Sequence, residues 1–381
     1  MRCTRGLEWV AAAELTARFG ARIDEVRHRT LLCSVTALRA ELLESRVADD
    51  ILLYCGEVVD VVHQRTAIGT LAEAVAELPL RTVLETVMKL RGARGSDTFD
   101  VVVSILGRRN YSRMDLEAAV GPVIAARTGM HQVEHGTEAI VTSEVSWRIH
   151  IENDIALVML RIGRTPTHRR GYKTESSLGS LHAPVAAALS LLAGLAPGEM
   201  LFDPFTGSGT IPIEANALEP RICAIGSDID RKNVLIACRN AHRAQSAAGF
   251  IIADAACTPV RRRSVTRLVS NPPWAQAVHP IGRLITHPDD MTKKLAELLA
   301  ADGRMALLVS GNSSRLPTQL QSRHGMRLIH SQKLSLFGQW PDLVVLDPQG
   351  AGVRPLVLPG SLWAADIAAS HQEVFPRQLP L

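Results

Sequence analysis

Residues 199–215 read EMLFDPFTGSGTIPIEA. Glu199 to Asp203 is a short apolar strand closed by an acid. Gly207 and Gly209 then permit a tight turn with free backbone amides, and the run through about Leu218 is a helix. The same alternation continues down the chain. Ile222–Ser227 is a second strand, residues 231–245 a helix, Phe250–Ala253 a third strand and Thr266–Ser270 a fourth. Thr292–Ala301 is a helix ending at Gly303, and Arg304–Ser310 a fifth strand. Strands alternating with helices predict an α/β, doubly wound parallel sheet. Arg327–Phe337 and Leu343–Asp347 predict a closing antiparallel pair around Trp340-Pro341. The proline-rich tail from Pro348 predicts loops and short helices.

Upstream the character changes. Leu7, Val10, Ala11, Glu14 and Leu15 keep helical spacing up to Gly20. Residues 21–35 alternate as strands, Asp100–Leu106 is a strand and Asp115–Arg127 a helix. Trp147–Arg161 is a hairpin around Asn153-Asp154. This half is mixed α+β and holds no catalytic cluster. The 381 residues suit two or three domains, and 46% hydrophobic with 21% charged residues excludes disorder across the chain. No apolar run reaches the ~18 residues of a membrane helix. The acidic residue soon after Met1 argues against a signal peptide. Six scattered cysteines without a CxxC pair predict reduced thiols in a cytoplasmic protein and no zinc ribbon.

Four elements stand at strand ends, where open α/β sheets bind ligands. The first is the Asp203–Thr210 turn. Pro212 occupies the last glycine position of a GxGxxG dinucleotide site, a Walker loop is absent, and Ser208 lies outside a GxSxG elbow. The second is Gly226-Ser227-Asp228-Ile229-Asp230, with Asp228 placed to accept from ribose hydroxyls. The third is Ala253-Asp254-Ala255, where the acid can accept from an adenine amine with Ala255 beside the ring edge. The fourth is Asn271-Pro272-Pro273-Trp274. Two prolines stiffen the strand exit, so the Asn271 side chain and the Pro272 carbonyl converge as acceptors while Trp274 offers a flat surface. A ring-conjugated amine is a poor nucleophile. Two acceptors on its hydrogens turn it toward tetrahedral geometry and aim its lone pair.

The sequence resembles the class I S-adenosylmethionine-dependent methyltransferases of the amino-methylating type, and more narrowly the THUMP-containing RNA guanosine methyltransferases. The catalytic likeness runs from about His182 to Asp347, on DPFTGSGTIPIEA (203–215), GSDID (226–230), AD (253–254) and NPPW (271–274). The N-terminal likeness rests on CTRGLEWVAAAEL (3–15), RRNYSRMDLEAAVG (108–121) and DIALVMLRIGRTPTHRRGYK (154–173). It implies a Rossmann-like class I methyltransferase domain over 181–381. Ahead of it come a ferredoxin-like region over 1–60, an RNA-binding THUMP domain over 61–165 and a linker over 166–180. It implies S-adenosylmethionine as cofactor, surrounded by Asp203, Thr206, Gly207, Ser208 and Gly209. Asp228 would hold ribose, Ile229 pack on adenine, and Asp254 with Ala255 read the adenine edge. Asn271 and Pro272 would hold the target amine, with Trp274 stacked on the base. The family usually has NPPY or NPPF followed by glycine and a charged residue; here Trp274 precedes Ala275-Gln276-Ala277.

The formal charge of +4 is modest, and basic residues cluster locally. Arg108, Arg109, Arg113, Arg164, Arg169 and Arg170 are candidate phosphate contacts. The expected activity is methylation of the exocyclic N2 of a guanosine, in tRNA near the acceptor stem. An rRNA guanosine (including a ribosome-modifying resistance enzyme), an adenine N6 target, and a non-catalytic RNA-binding relative are the alternatives. No metal and no membrane partner are expected.

Overall fold

The computed structural model describes residues 1–92, 97–133, 143–273 and 288–351. Trp274 and the tail beyond residue 351 lie outside the described residues, together with the expectations attached to them. The chain forms two compact units. One joins Met1–Thr36, Ser45–Asp49 and the chain from His168 onward; the other joins Ala37–Glu44 and Asp50–Thr167.

The first unit opens with α1 (Glu8–Phe19) and an antiparallel hairpin of β1 (Arg22–Arg27) and β2 (Thr30–Ser34). Gly20 ends α1 at φ 62°, the left-handed cap its sequence predicts. The buried Glu14 carboxylate accepts from Ser45 Oγ at 2.6 Å, the Arg46 amide at 2.7 Å and the Val47 amide at 3.0 Å. These bonds tie residues 45–47 to the same unit as α1.

The second unit comprises β3 (Leu52–Val58), α2 (Ala67–Ala76), α3 (Leu80–Arg91), β4 (Thr98–Ile105), α4 (Arg113–Thr128), β5 (His131–Gln132), β6 (Val145–Glu152) and β7 (Ile155–Arg161). Among the described residues its five strands run in the order β3-β7-β6-β4-β5. Phe99 and Trp147 are fully buried in its core. The boundary expected at residue 60 does not fit this sheet. β3 pairs with β7 from Leu52↔Arg161 to Val58↔Ala156, so a cut at 60 would separate a strand from its partner. The β6–β7 turn places Asn153 at φ 46° and Asp154 at φ 62°, as the Asn-Asp pair predicts. A Ser112–Asp115 capping box starts α4.

From His168 onward the first unit resumes. Its elements are α5 (Ala183–Ala193), β8 (Met200–Asp203), α6 (Thr210–Leu218), β9 (Cys223–Asp228), α7 (Arg231–Arg243), β10 (Gly249–Ile252), β11 (Val265–Ser270), α8 (Pro288–Leu298), β12 (Leu299–Val309), α9 (Leu316–His324), β13 (Met326–Lys333) and β14 (Asp342–Pro348). The helix expected over 292–301 stops at Leu298, because Leu299 pairs with Val265 as strand. Among the described residues the sheet order is β10-β9-β8-β11-β12-β14-β13, with β14 antiparallel to both neighbours. This is a Rossmann-like sheet. Strand order reverses between β8 and β11, which are hydrogen-bonded parallel neighbours. Connections on either side of that point diverge, leaving a crevice beyond the two carboxyl ends.

Candidate active site

β8 ends at Asp203 and β11 at Ser270, so the 203–209 turn and the 271–273 segment leave adjacent strands at the same edge. Ser270 Oγ donates to Asp203 Oδ1 at 2.6 Å and pins the two exits together. A cavity of about 630 Å³ opens there, lined by both segments. Asp203, Thr206, Gly207, Ser208, Asp228, Ile229, Asp254, Ala255, Asn271 and Pro272 all line it. Of the described candidates for cofactor and amine, Gly209 is the one set back from the wall. Its role is steric. A Cβ there would lie 2.9 Å from both Ala237 Cβ and Phe250 Cζ, and its φ is 83°. Gly226 is tighter still: a Cβ would lie 2.3 Å from Thr206 Oγ1.

The acids are held in distinct ways. Asp228 accepts the Gly207 amide on one carboxylate oxygen at 3.0 Å and the Asp230 amide on the other at 2.9 Å. Its orientation is therefore set before any ligand arrives. Asp254 accepts from the Ala256 amide at 2.9 Å. Asp203 is almost wholly buried, and burial pushes its carboxyl up to about 7. Donation from Ser270 and the Phe205 amide opposes that rise, and the neighbouring Asp228 charge adds to it.

A raised carboxyl means that the folded chain holds this proton more tightly than the unfolded one. Its contribution to stability is therefore lost as pH climbs from about 4 to about 7. The loss amounts to roughly 2–4 kcal/mol. Asp203→Asn keeps an acceptor for Ser270 and the Phe205 amide without the charge. In urea unfolding of the ligand-free protein, the variant gains on wild type at pH 8 relative to pH 5. An equal difference at both pH values would contradict this account.

Asn271 Oδ1 is buried at this cavity and has no hydrogen-bond partner among the described residues. Leaving a buried acceptor unpaired costs ~1–3 kcal/mol, so an amine donor from a ligand has a vacancy to fill. The remaining wall comes from residues without a recognisable motif, notably Ser177, Ser180, Leu181, Asn233, Phe337 and Gln339. Ser180 Oγ lies 2.6 Å from Ser208 Oγ and fastens this loop over the glycine turn. No local sequence signal marks these positions, apart from the small-residue run Ser176-Ser177-Leu178-Gly179-Ser180.

The arginine set needs correction. The Arg109 side chain is 2% exposed and donates to Asp154 Oδ1 at 2.6 Å and to the Val61 carbonyl at 2.8 Å. It braces the β6–β7 turn and cannot also reach a phosphate. Arg170 is 8% exposed and pairs with Glu214 at 3.0 Å. Arg164 is half exposed and pairs with Glu144. Arg108, Arg113 and Arg169 are exposed. Tyr111 and Tyr172 are buried, their hydroxyls donating to the Val62 carbonyl and to Glu214.

Residues 170–340 match the UPF0020 family model, an RMKL-like methyltransferase domain. They are a methyltransferase domain. Over 348 residues the chain is 26% identical to a tRNA (guanine(6)-N2)-methyltransferase of Thermus thermophilus, covering 90% of this chain and 97% of that protein. The crystal structure of TrmN from Thermus thermophilus aligns at a TM-score of 0.72 and 25% identity, over 91% of this chain and 98% of that one. A ribosomal RNA large subunit methyltransferase K/L of Syntrophotalea carbinolica is 41% identical over 87 residues, which span 22% of this chain and 12% of that protein. The methyltransferase domain thus contains both the glycine turn and the Asn271 segment. Among the described residues, no helix is long and apolar enough to cross a membrane, and no cluster of three His, Cys, Asp or Glu could hold a metal.

Proposed function

We propose that the chain transfers the methyl group of S-adenosylmethionine to the exocyclic N2 of a guanine in tRNA. The observation that carries this reading is the single cavity lined by both the Asp203–Ser208 turn and Asn271-Pro272. Near full-length likeness to a tRNA guanine-N2 methyltransferase supports the RNA class and the target atom.

The residues present fit the cofactor. Gly207, at φ 51°, keeps the turn clear where a Cβ would come within 3.1 Å of Ser177 Oγ. The preset Asp228 carboxylate suits ribose hydroxyls, and Asp254 and Ala255 suit the adenine edge. S-adenosylmethionine, when bound, supplies an electrophilic methyl carbon on a sulfonium centre. Asn271 Oδ1 accepts one hydrogen of the target amine and the Pro272 carbonyl the other. Holding both hydrogens turns the nitrogen lone pair out of conjugation with the ring. The amine proton then leaves to solvent after attack, so no strong general base is required. Such a pocket takes only an unpaired or extruded base. The unit around β3–β7 serves as the RNA grip of THUMP type, with Arg108 and Arg113 among its phosphate contacts.

Nucleoside mass spectrometry of RNA from a strain lacking this gene tests the assignment, together with in vitro transfer from labelled S-adenosylmethionine. The expected result is N2-methylguanosine missing from tRNA and restored by the purified protein. Loss of N6-methyladenosine instead, or a lesion confined to rRNA, overturns it. The rRNA guanine is the second reading, favoured by the higher identity over a short segment of the rRNA methyltransferases.

A further inference from the structure

Phe337 breaks two local rules at once. It is a non-glycine residue at φ 51°, and its large apolar side chain is 80% exposed. It occupies the first central position of a two-residue turn between Leu336 and Gln339, with Gly338 following at φ 75°. Turns with two positive φ values favour Asn, Asp or Gly there. The strain is not a sign of looseness. Leu336 and Gln339 exchange reciprocal backbone hydrogen bonds of 3.0 Å. Behind the tip, the Leu334 amide donates to the Pro341 carbonyl at 2.9 Å and the Ser335 amide to the Arg5 carbonyl at 3.1 Å. The Arg5 guanidinium lies over the Trp340 ring, 5.2 Å from its centroid. Gly6 closes on the same loop, where a Cβ would strike the Lys333 carbonyl and the Leu334 side chain.

The ring so held lines the cavity that contains Asn271. Among the described residues its one aromatic neighbour is His182, edge to face at 6.0 Å. We propose that Phe337 is a platform on which the base of the extruded target nucleotide stacks, while Asn271 takes the amine at that base's edge. A strained, solvent-facing aromatic braced by the N-terminal segment gains nothing from folding. A flat π-surface lining the same cavity as an unpaired amine acceptor matches a nucleobase. The inference rests on the proposed function and adds to it a base-binding residue with no sequence motif. It also gives the segment around Arg5 and Gly6 a task, which is to hold that residue in place.

The test uses the full chain, labelled S-adenosylmethionine and the tRNA pool of a strain lacking this gene. Phe337→Asn suits the turn and is expected to keep or raise the melting temperature. Its kcat/KM for tRNA is expected to fall about tenfold, the scale of one lost base stack, mostly through KM. Calorimetric binding of S-adenosylhomocysteine should be unchanged. Phe337→Trp should recover the activity. Wild-type kcat/KM in Phe337→Asn overturns the platform, as does recovery by Phe337→Leu equal to that by Phe337→Trp, which would mean plain apolar cover. Failure of the wild-type protein to methylate any tRNA overturns the function and the platform together. The parent and variant measurements thus separate the two failures.

Discussion

On the proposed function, Asn271→Ala is expected to lower methyl transfer to tRNA by about 10²–10³-fold, the usual loss when one preorganised polar group is removed from a reacting centre. Cofactor affinity is expected to stay as it was, because the contacts proposed for Asp228, Asp254 and the glycine turn come from other strand ends. The reason lies in an orphan atom. Asn271 Oδ1 is buried without a partner among the described residues, at the mouth of a strand whose neighbour carries the glycine turn. Its alanine replacement cannot accept a hydrogen from the amine, so the lone pair stays conjugated and misaimed. Asn271→Asp retains an acceptor and should return part of the rate. Single-turnover transfer measures the chemical step, and calorimetry with S-adenosylhomocysteine measures binding. An alanine variant that transfers at the parental rate would remove Asn271 from the chemistry.

Glu214→Ala destabilises the chain by about 3–5 kcal/mol, the range for breaking a buried ion pair from one side. Glu214 sits on α6 with its side chain fully buried. One carboxylate oxygen accepts from Arg170 Nε at 3.0 Å and from the Tyr172 hydroxyl at 2.8 Å. The other lies 3.4 Å from both Arg46 Nη1 and Arg170 Nη2. Alanine would strand the Arg170 charge in a site it cannot leave without unfolding its surroundings. The midpoint of urea unfolding should fall with little change in slope. Glu214→Gln keeps an acceptor and should lose less. A midpoint equal to wild type in Glu214→Ala would show that this cluster contributes nothing. The same pair joins IPIEA on α6 to HRRGY before α5. One supplies the acid and the other the base and the phenol of a single buried cluster.

Much of the fold was readable locally. The strand–turn–helix at 199–218, the Asn153-Asp154 turn, the Gly20 cap and the acids at 228 and 254 each depend on neighbours within a few residues. Propensity, φ requirements and capping act over that range. The helix over 292–301 overran because pairing with β11 outweighs helical preference at Leu299, and the strand at 52–58 went to a sheet completed a hundred residues later. The arginines make the contrast plainest. Arg108 and Arg109 are adjacent, as are Arg169 and Arg170, and no property of either pair distinguishes its members in sequence.

By itself, then, the chain's order of residues determined an α/β sheet with acids and an amide at successive strand ends, hence the class of chemistry. Tertiary structure alone decided that β8 and β11 lie side by side, so that those ends share one cavity. It also set Arg109 and Arg170 against carboxylates 45 and 44 residues away, removing them from any RNA surface, and it carried Phe337 to the cavity rim. The physical reason is range. Backbone preference is settled between near neighbours, whereas burial, charge pairing and the shape of a pocket exist only once distant segments have packed.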